Sequence, residues 1–99
     1  MSKLIKPRYL VFAITEDMIK SGLKGNYLIV YAFIEYKANH SLDGSYKGGL
    51  NEICRFLKLT QPTVISIVNQ LASGGYIKKE YFIDENKNKK CSLTPIYDE

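Results

Sequence analysis

Between Gln61 and Ser73 the polar residues Gln61, Thr63, Ser66, Asn69, Gln70 and Ser73 interleave with Val64, Ile67, Val68 and Leu71. Wound into a helix, the four apolar residues share one stripe and the polar ones are left outside. Amide side chains in such a row can read base edges, since Gln or Asn pairs bidentately with adenine at about 1–3 kcal/mol. A cationic set flanks them: Arg55 and Lys58 before, then Lys78, Lys79, Lys87, Lys89 and Lys90 after. Phosphate attraction by such residues supplies most non-specific DNA affinity. The residues of catalysis are poorly served by comparison. His40 is the single histidine, with no nucleophile or metal partner placed around it by spacing. Ser45 to Leu50 has glycines but not the lysine-serine ending of a phosphate-cradling loop. Cys54 and Cys91 lie far apart and form no metal-ligand spacing. The residues point to a binding domain and not to an enzyme, with no cofactor and no metal.

The elements that must hold these residues follow from period and punctuation. Residues 1–8 form a basic, loose N-terminal arm around Pro7, with Lys3, Lys6 and Arg8. Tyr9–Ile14 reads as a short strand, and Thr15-Glu16-Asp17 as the cap of a brief helical turn. Asn26–Ala38 is a helix apolar around most of its girth, so it must be buried on more than one side. It is central, or its outer face meets a second copy through Tyr27 and Tyr31, neighbours at i, i+4. Asn39–Gly49 is a loop. Leu50–Leu57 is a helix with Leu50, Ile53, Cys54 and Leu57 at i, i+3, i+4, i+7. Lys58-Leu59 turns, Thr60 stands at the N-cap with Pro62 in the first turn, and Gly74-Gly75 ends the next helix. Tyr76–Ile83 and Cys91–Ile96 are strands around the polar turn Asp84–Lys90. This order predicts an α+β, mainly helical domain over residues 9–97: a helix-turn-helix followed by a two-stranded wing.

Composition sets the bounds. Ninety-nine residues suit one domain with one modest core. The net charge of +4 permits a polyanionic partner. Five lysines against Glu80, Asp84 and Glu85 leave the hairpin only mildly positive. No apolar run is long enough to span a membrane. The N-terminus lacks a signal-peptide pattern, and two distant cysteines fit a reduced, cytoplasmic setting.

Leu59, Thr60, Thr63-Val64, Leu71 and Gly75-Tyr76-Ile77, in that order and spacing, resemble the winged helix-turn-helix family. Upstream, Tyr9–Ile14, the approach Ser21 to Asn26 and the apolar helix around Tyr31 resemble the N-terminal domains of plasmid and phage replication initiators and replisome organisers. MarR-type regulators are more distantly similar. The resemblance implies double-stranded DNA as partner, with the helix over Gln61–Ser73 in the major groove and the wing on the backbone. It also implies a homodimer and a role in replication or transcription regulation, with other replication proteins as further partners. The implied DNA contacts are Arg55, Lys58, Thr60, Gln61, Thr63, Ser66, Asn69, Gln70 and the five hairpin lysines. One departure stands out: family recognition helices carry Arg or Lys, and Gln61 to Ser73 has no charge. That motivates an alternative, a self-association or docking module that does not touch DNA directly. The chain stops just after the hairpin, as an N-terminal part of a longer replication protein would.

Overall fold

The computed structural model describes residues 14–97. The expected arm over residues 1–8 and all of the expected strand but Ile14 lie outside them. The described chain is α+β: α1 (Glu16–Lys20), α2 (Gly25–Asn39), α3 (Leu50–Leu57), α4 (Gln61–Ser73), β1 (Ile77–Ile83) and β2 (Lys89–Pro95). No helix among the described residues is long and apolar enough to cross a membrane.

The most apolar helix is the central one. α2 buries Val30, Tyr31, Ala32, Phe33, Ile34 and Ala38, and it touches α1, α3, α4 and β2. Its lack of an apolar stripe is thereby accounted for, because neighbours stand on several sides. Phe33 meets Tyr46 edge-on at 5.7 Å and Phe56 at 5.1 Å. Full burial of a side chain such as Phe33 contributes about 1.5–3 kcal/mol.

The helix ends were legible in part. Thr15 caps α1 as expected, its hydroxyl accepting from the Met18 N–H at 3.2 Å. α3 stops because Lys58 turns left-handed (φ 57°, ψ 44°), and the Leu59 N–H reaches back to the Cys54 carbonyl at 3.1 Å. Thr60 holds the N-cap position of α4 but makes no side-chain cap. Its hydroxyl pairs instead with the Thr63 hydroxyl at 2.8 Å. At the far end Gly75 is left-handed (φ 83°). There the Tyr76 N–H bonds to Leu71 and the Gly75 N–H to Ala72, which satisfies carbonyls of the last turn.

β1 and β2 pair antiparallel from Ile77↔Pro95 to Ile83↔Lys89. The hairpin turn is shorter than expected. Lys89 and Lys90 belong to β2, and the reversal is made by Asp84–Asn88. The Asp84 carboxylate accepts from the Asn86 and Asn88 N–H groups, while Lys87 is left-handed (φ 64°).

The stretch Asn39–Gly49, expected to be a plain loop, contributes to both core and sheet. Tyr46 is buried and exchanges both backbone hydrogen bonds with Leu93, at 2.7 and 2.9 Å. It flanks β2 on the edge away from β1. Its hydroxyl donates to the Gly49 carbonyl and lies 2.9 Å from Glu52 Oε1. Gly48 allows this close approach, for a Cβ there would come within 2.6 Å of the Tyr46 ring. Cys54 and Cys91 are both half-buried free thiols.

Candidate nucleic-acid interface

α4 buries Val64, Ile67, Val68 and Leu71 against α2 and α3. Gln61, Pro62, Ile65, Ser66, Asn69, Gln70 and Ser73 remain exposed, and Thr63 is half-buried. The outer face is therefore polar and uncharged, as the sequence implied. Its amides do not all hang loose. Gln70 Oε1 accepts from the Tyr27 hydroxyl at 2.8 Å, and its Nε2 donates to Ser66 Oγ at 3.4 Å. Asn69 Oδ1 accepts from Lys79 Nζ at 3.0 Å. Both side chains keep hydrogen-bonding capacity for a ligand, because an amide offers two donors and a two-lone-pair acceptor.

Cations stand beyond both ends of this face. Arg55 and Lys58 are exposed beside the turn that enters α4. At the other end Lys79 leans from β1 onto Asn69. Gln61 and Asn69 are about 12 Å apart along the axis at 1.5 Å per residue.

The hairpin register sorts the remaining lysines. Residues directly opposite in an antiparallel pair share a face, as do residues two apart on one strand. Ile77, Lys79, Tyr81, Ile83, Lys89, Cys91, Leu93 and Pro95 therefore lie on one face, and Lys78, Glu80, Phe82, Lys90, Ser92 and Thr94 on the other. The first face carries two lysines and no carboxylate. On the second, Lys78 pairs with Glu80 at 3.8 Å. Lys87 lies in the turn itself. Of the five expected lysine contacts, then, Lys79 and Lys89 share a face with the link to α4, Lys78 and Lys90 point the other way, and Lys87 sits at the tip.

Two exposed apolar residues on the α4-facing side went unnoticed in the sequence, Tyr81 at 57% and Ile83 at 65%. Lys89 Nζ stands 4.3 Å and Lys79 Nζ 5.5 Å from the Tyr81 ring centroid. Period-2 spacing from Ile77 was the signal that could have found them.

Tyr31 corrects the expected dimer contact. It is 7% exposed and belongs to the core, edge-on to Tyr76 at 6.2 Å. Burial pushes its hydroxyl pKa up to about 12, with Tyr97 and Glu35 adding to the effect. Tyr27 is half-buried and faces α4 through Gln70. Neither ring lies on an outward patch of α2.

Other concavities are less organised. A cleft of about 780 Å³ beside α1 and α2 is lined by Met18, Leu23, Tyr31, Glu35, Tyr76 and Tyr97, among others. The Thr15 and Ser21 hydroxyls on its wall are already engaged with the backbone of α1. His40 stacks on Tyr36 at 4.1 Å, with Nδ1 against the Tyr36 carbonyl. Among the described residues no three His, Cys, Asp or Glu side chains gather as metal ligands. No family model matches the chain, and neither a curated protein nor a solved structure does.

Proposed function

We propose that this is a winged helix-turn-helix domain that binds double-stranded DNA, as part of a replication or transcription-regulating protein. α3 and α4 form the helix pair, with α4 in the major groove. The β1–β2 hairpin is the wing, placed on the adjacent backbone. The observation that carries the reading is the hydrogen bond from Lys79 Nζ to Asn69 Oδ1. It joins wing and helix into one surface, so that phosphate attraction from the hairpin serves base reading by a helix with no charge of its own. Tyr46 against Leu93 supports the same reading, because it fixes the root of the wing to the body that carries α4.

The test is fluorescence anisotropy with a mixed-sequence duplex over a salt series. Affinity is expected to fall steeply with salt. Changing Lys87, Lys89 and Lys90 together to Ala should lower the log–log slope by about 2–3, near 0.9 for each phosphate no longer neutralised. It should weaken all sequences alike. Gln61→Ala or Asn69→Ala should instead alter preference among sequences. A chain that binds no duplex at low salt overturns the proposal.

A second reading draws on the uncharged outer face of α4, where Ile65 is 37% exposed. A neutral polar face with an apolar residue suits a protein partner, so the domain would self-associate or dock through α4. Sedimentation separates the two. A concentration-dependent dimer without salt-dependent DNA affinity favours docking, and a monomer that binds duplex favours DNA.

A further inference from the structure

We infer that Tyr81 is a stacking site for an unpaired base, so that the domain takes single-stranded DNA at the edge of its duplex surface. The inference rests on the reading of that surface as DNA-binding. The Tyr81 ring is more than half exposed, and the residue directly across the ladder is the smaller Cys91. A tyrosine placed only to stabilise a hairpin gains most from a large cross-strand neighbour, and this one has none. Its companions are instead Lys79 and Lys89, both within cation–π distance. At an exposed site such interactions are weak, so a phosphate can draw the exposed Lys89 ammonium away while the ring stays in place and Lys79 stays tied to Asn69.

Charge on this face has one sign. Glu80 is turned to the opposite side beside Lys78, and the Asp84 carboxylate is occupied by turn N–H groups. A phosphate approaching Tyr81 therefore meets two cations, and no carboxylate shares their face. An aromatic plane set among cations is the combination that holds single strands, where each base offers a face and each nucleotide a charge. In a duplex the base faces are covered by their neighbours, so the ring finds that partner only where a base is unpaired. Ile83, two residues further and equally bare, extends the apolar strip by about 7 Å, twice the roughly 3.4 Å rise of a stacked nucleotide.

The experiment uses the full chain and three labelled DNAs: a blunt duplex, the same duplex with a single-stranded thymidine tail, and the tail alone. The tailed duplex is expected to bind more tightly than the blunt one. Tyr81→Ala should weaken the tailed duplex and the tail by roughly fivefold to a hundredfold, the range for loss of one stacked base. It should change the blunt duplex less than twofold, and Tyr81→Phe should restore the tail preference. Circular dichroism checks that each variant is folded, which its exposed position favours. Equal binding of blunt and tailed duplex overturns the inference. So does an equal loss on both DNAs in Tyr81→Ala, which would make the ring a wedge into paired DNA. If the unaltered chain binds duplex yet ignores the tail, this inference alone falls; if it binds none of the three, the duplex reading falls with it.

Discussion

The root and the tip of the β1–β2 hairpin use the same strands and the same face, yet they have opposite surroundings. At the root Ile77, Leu93 and Pro95 are buried, and Tyr46 flanks β2 as a single bridged residue. At the tip Tyr81, Ile83 and Lys89 continue the face into solvent. An apolar alternation along a strand shows only that one side wants a partner. Here half of that side has its partner inside the chain, and the other half is left for something else. Within the hairpin, packing is accordingly concentrated at the root, and the tip is where the proposed DNA contacts would fall.

The largest effect that could break this division lies at the root. Leu93→Ala is expected to cost about 2–5 kcal/mol, as for other fully buried leucines. It would be read as a lower urea midpoint. A cost below about 1 kcal/mol would mean that the root is no more packed than the tip.

Next comes Tyr46→Phe, which keeps the ring against Phe33 but removes the hydroxyl shared by Gly49 and Glu52. The expected loss is about 1–3 kcal/mol, since one partner is a carboxylate. Burial, then Glu52, raises the Tyr46 pKa above its ordinary 10.0, and burial raises Tyr31 to about 12. The unfolded chain releases these protons near pH 10 while the folded chain holds them. Their contribution is therefore intact below pH 10 and erodes as pH rises above it, that of Tyr31 being lost through about 12. Melting temperature should fall over that window, and less steeply in Tyr46→Phe or Tyr31→Phe.

The smallest effect belongs to the tip. Lys87 sits left-handed at φ 64°, a conformation that costs a non-glycine residue about 1 kcal/mol. Lys87→Gly should raise stability by up to about 1 kcal/mol and yet weaken duplex binding by removal of a charge. Stability and affinity moving in the same direction would count against the separation of root from tip.

The parts legible in the sequence are those whose signal is local. α4 was readable from its apolar stripe, Pro62 and the glycine pair, and α1 from Thr15. Tyr46 was not, because a single bridged residue leaves no run, and it lies among glycines and polar residues. The choice of buried ring on α2 was also hidden. A helix apolar on all sides has no stripe to say that Tyr31 faces the core. Lys89 and Lys90 looked like turn residues by charge, although they are strand residues by register. The polar face of the candidate site was therefore readable, whereas its link through Lys79 and the bare Tyr81 ring beyond that link needed the pairing of the strands.

Tyr46 paired to Leu93 encloses α3, the turn, α4 and β1 between two residues far apart in sequence. That closure divides the molecule by the ease of local opening. The hairpin can fray from Asp84–Asn88 inward without disturbing the helix pair, as far as the rung at Leu93. Amide protons at Tyr46 and Leu93 should then exchange only with global unfolding, and those near Lys89 much faster. The outer half of the hairpin can thus flex while the helix beside it keeps its place.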